Sequence, residues 1–156
     1  MGLRASNGSN IMSAFAKGTS VTFPTPYIGL FKTMPDANMS GGDEVDYPEY
    51  ARVQLNVKGI EGKDILTSPY YEDGEDADGN AIKVTKIKNQ ELIVWPENET
   101  GTAVKAIGWG LFESRTATTP YLTGLLAADA TGSREITINP NSMPIVRIER
   151  LKIGIK

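Results

Sequence analysis

The stretch 103–138 constrains the fold most, because its first strand candidate has apolar side chains in both alternating sets. Those sets, within AVKAIGWGLFES, are Val104, Ala106, Gly108, Gly110 and Phe112 against Lys105, Ile107, Trp109, Leu111 and Glu113. Such a pattern is typical of a central strand that is covered on both faces. Gly108 and Gly110 flank Trp109, which predicts close backbone approach or a bend. After a loop, YLTGLLAADATGSREITI predicts a second strand, a turn and a third strand.

The other strand candidates are short and are separated by turn residues. They fall at 27–32, 51–57, 82–87, 92–95 and 145–155. Strict alternation over 51–57 predicts a half-buried strand. A break near Lys86 is an option for the third candidate. In the last one, a bulge near Glu149 or Arg150 would bring both apolar sets inside.

Seven or eight such strands predict an all-β fold, an antiparallel β-sandwich that is immunoglobulin-like or jelly-roll-like, with a closed barrel as the alternative. The length of 156 residues predicts a single domain over 1–156. Within it we expect an N-terminal helical arm at 1–26 and a sandwich at 27–156. The acidic segment 59–80 is expected to be an inserted hairpin or loop. A short helix over 9–17 would be capped by Ser9 and ended by Gly18.

Composition excludes several classes of function. The chain has no Cys and no His, which removes disulfides, thiolate sites, the commonest general base and the commonest transition-metal ligand. A net charge of −3 argues against a nucleic-acid partner. No apolar run is long enough to span a bilayer, so we expect no membrane partner. No carboxylate spacing selects a glycosidase pair, and no nucleophile or phosphate-loop motif is present, so we expect neither an enzyme nor a cofactor.

The acidic segment EDGEDADGN is the only metal candidate, and a weak one. Asp73, Asp76 and Asp78 supply the hard oxygen ligands that Ca²⁺ prefers. An EF-hand loop set on Asp76 and Asp78 would place Gly74 at its first ligand position and Thr85 at its last, so the motif fails at both ends. The favoured interpretation is a solvated turn.

Aromatic and apolar side chains mark candidate interaction surfaces. Tyr47, Tyr50, Tyr70, Tyr71 and Trp95 could stack on a sugar or bind a protein, although ordinary packing is the alternative. In the helix candidate, Ile11, Met12 and Phe15 form an apolar stripe that needs a partner surface, either its own sandwich or a neighbouring subunit.

Four motifs along the chain resemble those of small tailed-bacteriophage and prophage structural proteins, usually labelled "phage tail fibre protein". They are the helix NIMSAFAKG; YIGLFKTMP; GDEV followed by YAR; and IVWP, IGWGLFE and LTGLL. The resemblance covers most of the chain. The chain departs from the pattern at Pro48-Glu49, where small residues are usual, and at the inserted segment 59–80.

The resemblance implies a non-enzymatic virion component, assembled in the bacterial host cytoplasm. It suggests a small module that docks on other virion proteins at the tail or neck, as a fibre base or adaptor. The alternatives are a capsid decoration or head-fibre protein, and a receptor- or glycan-binding module. We expect homo-oligomers. Among the motif residues we expect a structural role for Gly108, Trp109 and Gly110. We also expect an ion pair between Glu44 and Arg52 that holds the loop predicted over 34–49.

Overall fold

The computed structural model describes residues 2–3, 9, 12–14, 16–19 and 25–155. The described residues form these strands: β1 Gly2–Leu3, β2 Tyr27–Thr33, β3 Asp43–Glu44, β4 Val53–Gln54, β5 Tyr70–Glu75, β6 Ala81–Lys88, β7 Ile93–Val94, β8 Val104–Ala106, β9 Gly108–Phe112, β10 Leu122–Leu125, β11 Ile136–Ile138, β12 Ile145–Val146 and β13 Lys152–Ile155. All pairings between them are antiparallel.

The helix predicted over 9–17 is present at its described positions. Ser9, 12–14, 16 and 17 are helical, and Gly18 follows with a positive φ of 62°. The amide of Thr19 donates to the carbonyl of Ala14 at 2.9 Å, which closes the last turn in the way a C-terminal glycine permits. The predicted class, an antiparallel all-β fold with one short N-terminal helix, is thus confirmed. No helix in the described part of the chain is both long and apolar enough to cross a bilayer.

The chain forms two compact units. Unit 1 comprises Met1–Gln54 and Trp95–Pro144, and unit 2 comprises Leu55–Val94 and Ile145–Lys156. The single domain over 1–156 that the length predicts stays a prediction. The segment 59–80 lies wholly in unit 2 and contains β5.

A six-stranded sheet organises unit 1. Its strand order is β1-β10-β9-β2-β3, and β4 also pairs with β2. Every residue of β9 is buried, so the prediction of a strand covered on both faces is confirmed. One face carries Ile28, Leu30, Trp109, Leu111 and Leu122, which are all buried. The other carries Gly29, Phe31, Gly110, Phe112 and Thr123, which the strand registers place together.

The strand candidate at the start of the 103–138 stretch divides at Ile107. Its amide donates to the Phe31 carbonyl at 2.8 Å, and its carbonyl accepts from the Leu126 amide at 3.0 Å. Residues after Ile107 continue into β9, whereas β8 pairs with β11 in a separate two-stranded sheet. The apolar pattern predicted burial correctly but could not show that the two halves have different partners.

Unit 2 contains a three-stranded sheet, β13-β6-β5, and a two-stranded sheet, β12-β7. In the first sheet β6 is continuous through Lys86, so the optional break there is absent. The seven-residue strand predicted over 51–57 is wrong. Only Val53–Gln54 is a strand, because the chain passes from unit 1 to unit 2 at Leu55.

The single bulged strand predicted over 145–155 is also wrong. The segment forms β12 and β13 with a turn between them, in which Glu149 has a φ of 64° and Ile148 is exposed. The buried side chain of Asn89 holds this turn. Its Nδ2 donates to the Arg147 carbonyl at 2.9 Å, and its Oδ1 accepts from the Leu151 amide at 2.9 Å. An asparagine distant in the sequence therefore satisfies backbone groups that a bulged ladder would have paired.

Candidate functional site

The ion pair predicted between Glu44 and Arg52 is present in unit 1. The Nη2 of Arg52 lies 2.7 Å from Oε2 of Glu44, and its Nε donates to Oε1 at 3.0 Å and to Oε2 at 3.1 Å. This is a two-pronged contact of guanidinium with carboxylate, the strong form of the interaction. The side chain of Arg52 is only 10% exposed and that of Glu44 is 22% exposed. The pair joins Glu44, which lies within the loop 34–49, to the residue before β4, and so fastens that loop to the sheet.

Arg52 also binds the loop after β9. Its Nη1 donates to the carbonyl oxygens of Ser114 at 3.1 Å and Ala117 at 2.7 Å. Its guanidinium carbon lies 3.3 Å from the centroid of the Phe112 ring, a stacking cation–π contact. One side chain therefore ties two loops to the central strand. Lysine cannot supply this combination because it lacks the planar fork.

Tyr50 completes the same cluster. Its hydroxyl donates to Oε1 of Glu44 at 2.9 Å and accepts from the amide of Leu30 at 2.6 Å. Burial, followed by the nearby Glu44 charge, raises the pKa of Tyr50 far above its usual range, so the hydroxyl stays protonated. A phenol in this position satisfies a backbone amide of β2 and a carboxylate at once.

Glycines make room for this cluster against the sheet. A Cβ on Gly29 would collide with Oε1 of Glu44, and a Cβ on Gly110 would lie 2.5 Å from the Phe31 ring. A Cβ on Gly108 would collide with the sulfur of Met34. The close approach predicted for Gly108 and Gly110 is therefore observed. On the opposite face, the buried ring of Trp109 lies against Gly124.

Three of the four fibre-like motifs thus converge on one place, and the helix NIMSAFAKG is the exception. YIGLFK supplies Gly29, GDEV supplies Glu44, YAR supplies Tyr50 and Arg52, and IGWGLFE supplies the glycines and Phe112. Every polar group described for Arg52 and the Tyr50 hydroxyl bonds to protein atoms. The arrangement fastens loops to a sheet, and it presents no group poised to act on a substrate.

The acidic segment EDGEDADGN, residues 72–80, does not bring its carboxylates together at one site. Asp73 pairs with Lys83 across the hairpin of β5 and β6. The Oδ1 of Asp76 accepts from the amides of Asp78 and Asn80, both at 2.9 Å, so this carboxylate closes the turn. No grouping of three or more acidic side chains suited to a metal ion occurs among the described residues. The geometry here is that of a hairpin turn.

Two of the aromatic residues that were candidates for an interaction surface, Tyr47 and Trp95, are core residues. Tyr47 is buried and donates to the Pro96 carbonyl at 2.6 Å, and burial raises its pKa to about 12. Its ring packs edge-on against Tyr50, with centroids 5.4 Å apart. Trp95 is also buried. The prediction of an interaction surface that includes Tyr47 or Trp95 is therefore wrong, because both side chains are buried in unit 1.

Tyr70 and Tyr71 lie on opposite faces of the three-stranded sheet of unit 2. Tyr70 opposes Lys86 in register, lies under Lys88 and donates to Glu72 at 3.3 Å. Tyr71 opposes Thr85 and is 74% exposed. The two rings therefore do not form one stacking platform.

The helix stripe is described only in part. Ile11 and Phe15 lie outside the described residues. Met12 is 66% exposed, whereas Ala14 is buried. Of the predicted stripe, only Met12 can be placed, and it is available for contact.

Sequence reasoning missed a turn that recurs three times. It reads DANMS at 36–40, DADGN at 76–80 and DATGS at 129–133. In each, the first amide donates to the fifth carbonyl, the fourth amide donates back to the first carbonyl, and the fourth residue has a positive φ. The aspartate Oδ1 accepts from the third and fifth amides. We call these the aspartate turns.

A fourth turn, GIEGK at 59–63, has the same backbone bonds but no aspartate. The Gly59 amide donates to the Lys63 carbonyl at 2.7 Å, and Gly62 has a φ of 81°. The carboxylate comes instead from Glu91, which is only 1% exposed. Its oxygens accept from the amides of Glu61 at 3.4 Å and Lys63 at 3.2 Å. A side chain at position 59 would strike Glu91, since a Cβ there would lie 2.6 Å from the Glu91 Cβ.

The aspartate-turn repeat was present in the sequence as Asp-Ala followed three positions after the Asp by Gly or Met. It is short, and its copies lie about forty to fifty residues apart. In the fourth turn Glu91 takes the place of the aspartate, and no sequence pattern indicates this, because position 91 is 28 residues from the end of that turn.

Comparison with known proteins agrees with the motifs. A family model described as "Podophage GP4 fiber I protein gp80" matches residues 3–148. No curated protein matches the chain. The family match confirms the resemblance to phage fibre structural proteins on which the motif analysis rested. The chain belongs to the family of the podophage GP4 fiber I protein gp80, and is thus a fibre-related structural component of a phage virion.

Proposed function

We propose that the chain is a small module that docks on another virion protein at the tail or neck, as a fibre base or adaptor. The observation that carries this proposal is a set of large apolar side chains that are exposed among the described residues. They are Met12, Ile60, Tyr71, Leu125, Ile136, Met143, Ile145 and Ile148. Single exposed apolar residues are common, but these eight among the described residues, four in each unit, offer contacts that an assembly partner can cover.

The strands support a module in preference to a shaft. The longest strand, β6, has eight residues, which corresponds to about 27 Å. The described strands belong to four separate sheets, none of which repeats another. A shaft extends by repetition of a unit, and the described residues show none. A module that joins other components fits this architecture better.

Open sheet edges favour self-association as well. Among the described strands, β11 pairs only with β8 and β12 only with β7. Ile136 in β11 and Ile145 in β12 are exposed apolar residues on these edge strands. Exposed edges are usually protected or paired. We therefore propose that copies assemble into a symmetric homo-oligomer in the host cytoplasm before or during docking.

Immunogold electron microscopy on intact phage particles tests the location, with antibody raised against the recombinant chain. Label at the neck or tail is the expected result. Label over the shell would favour capsid decoration instead. Intact particles without label, despite confirmed expression and an antibody that recognises the folded chain, would overturn the docking proposal. A glycan array would then test the receptor-binding alternative, for which Tyr71 is the exposed aromatic candidate.

A further inference from the structure

The turn 59–63 of unit 2 differs from the three aspartate turns at the residue that points outward from its tip. The second position is Ala37, Ala77 or Ala130 in the aspartate turns, and all three are exposed. In the fourth turn that position is Ile60, which is 77% exposed. The backbone bonds are the same, so the turn itself does not need the larger side chain. The extra apolar surface has no partner among the described contacts of its own turn.

The turn that carries Ile60 is held from beneath by the buried carboxyl group of Glu91. Glu91 reaches the amides of Glu61 and Lys63, and Gly59 lets its side chain approach. Burial of a carboxylate is unfavourable unless strong hydrogen bonds compensate for the lost water. Glu91 fixes the backbone that follows Ile60, and the bond from the Gly59 amide to the Lys63 carbonyl holds the residue before it. A contact residue held in this way loses less conformational entropy when it binds.

The charges around Ile60 are balanced in pairs. Lys58 binds Asp64 at 2.9 Å, and Glu61 binds Lys63 at 3.3 Å. The rim of the turn therefore carries two positive and two negative side chains that neutralise one another. A strongly charged partner surface gains nothing from such a rim. An uncharged apolar pocket does, since the rim can surround the contact and exclude water.

We infer that Ile60 is a docking residue, an apolar side chain held ready to enter an uncharged apolar pocket on a neighbouring virion protein. This inference rests on the proposed function and adds to it the contact residue and the chemistry of the partner site. The aspartate turn 76–80, in the same unit, provides an internal comparison, since Ala77 occupies the equivalent position.

Virion incorporation of three variants tests the assignment. Phage particles are assembled in host cells that carry the variant gene in place of the wild type. Copies per particle are measured by quantitative mass spectrometry relative to a major capsid component. We expect Ile60→Asp to reduce incorporation by about tenfold or more, as for a central contact residue. Ile60→Val should retain most incorporation. Ala77→Asp, which adds the same charge at the equivalent position, should match the wild type.

Folding is controlled by circular dichroism and thermal unfolding of each purified full-length variant. Ile60→Ala serves if Ile60→Asp folds poorly, because it restores the residue that the aspartate turns carry, and it should still reduce incorporation several-fold. Wild-type incorporation of folded Ile60→Asp would overturn the inference while leaving the proposed function intact. Absence of the wild-type chain from particles would overturn both. If the purified wild-type chain is an oligomer and purified Ile60→Asp is a monomer, the partner is a second copy, and the assignment to a neighbouring protein is wrong.

Discussion

Arg52 shows how one residue can hold several loops of unit 1. It binds Glu44 with two prongs, caps the carbonyls of Ser114 and Ala117, and stacks on Phe112. The value of such a residue lies in the groups that would be left unpaired without it. A partly buried carboxylate and two loop carbonyls would lose their donor together.

Replacement of Arg52 by alanine should therefore destabilise the chain by about 2 kcal/mol, a value reduced from that of a fully buried pair because Glu44 keeps some exposure. Chemical denaturation measures the change in the free energy of unfolding. Arg52→Lys should recover only part of it. Lys32→Ala is the matched control. It breaks exposed ion pairs with Asp43 and Asp46 in the same unit, and should cost less than about 1 kcal/mol. Equal losses at both positions would contradict a special role for Arg52.

Glu91 has the corresponding role in unit 2, where it acts on a single turn. Glu91→Ala should cost about 3 kcal/mol, since it leaves two amides of the 59–63 turn without their acceptor and opens a cavity where the buried Glu91 side chain lies. Glu91→Gln keeps the shape and one acceptor oxygen, and should cost clearly less. Denaturant titration distinguishes the two variants. A loss as large for glutamine as for alanine would mean that charge, not shape, dominates.

Gly59→Ala tests the same contact from the other side. The added methyl would lie 2.6 Å from the Glu91 Cβ, so we expect a loss of about 2 kcal/mol. Gly101→Ala is the control, because a Cβ there meets nothing within 4 Å and its φ is not positive. That variant should change the free energy of unfolding by less than about 0.5 kcal/mol. A neutral Gly59→Ala would show that Glu91 can move aside.

At the scale of the element, two of the aspartate turns, 76–80 and 129–133, link stability to pH. Hydrogen bonds from Asn80 lower the pKa of Asp76, and hydrogen bonds from Thr131 lower that of Asp129. Their folded pKa values therefore lie below the unfolded value of about 3.9. The folded state binds fewer protons between these values, so this stabilisation is present above about pH 4 and is lost as the pH falls through the folded pKa.

The double variant Asp76→Asn/Asp129→Asn should accordingly be less stable than the wild type at pH 7. The difference should shrink as the pH falls below about 4, because the wild-type carboxyls then become neutral too. Unfolding by urea at a series of pH values measures it. Glu99→Gln, an exposed acid outside these turns, controls for the loss of negative charge. A pH-independent difference would assign the effect to side-chain shape.

Element by element, the sequence predicted strands where burial is two-sided and failed where the chain changes partners. Apolar residues in both alternating sets predicted the complete burial of β9, and Gly108 and Gly110 predicted close approach of other groups to its backbone. Alternation over 51–57 suggested one strand, yet it spans the passage between two units at Leu55. The turn after β12 depends on Asn89, more than fifty residues away from it, which no local pattern reveals.

The candidate site divides in the same way. The pairing of Glu44 with Arg52 could be predicted, because the resemblance to fibre proteins singled out the GDEV and YAR segments, which carry opposite charges. The burial of Tyr47 and Trp95 could not, since their rings pack in unit 1 against neighbours that the sequence does not place beside them. The role of Glu91 could not be predicted either, because its acceptors serve amides some thirty residues earlier.

At the scale of the whole molecule, the two units define which parts of the chain should respond together. Proteins open in cooperative parts that coincide with regions of dense contact. Unit 1 is held by Arg52 and the six-stranded sheet, whereas unit 2 is held by Asn89 and Glu91, and both units are discontinuous in sequence. A weakness introduced in one unit should therefore appear in two stretches of chain far apart in sequence.

Hydrogen exchange measured by mass spectrometry tests this expectation. In Glu91→Ala, we expect exchange to speed up in peptides from 55–94 and also from 145–155, with smaller changes in peptides from 25–54 and 95–144. Arg52→Ala should show the reverse pattern, because the loops that Arg52 holds through their carbonyls and Glu44 belong to unit 1. Gly101→Ala again serves as the neutral control. If either variant accelerates exchange equally throughout, the units open together, and the single cooperative domain expected from a chain of this length describes the protein better than two separable parts.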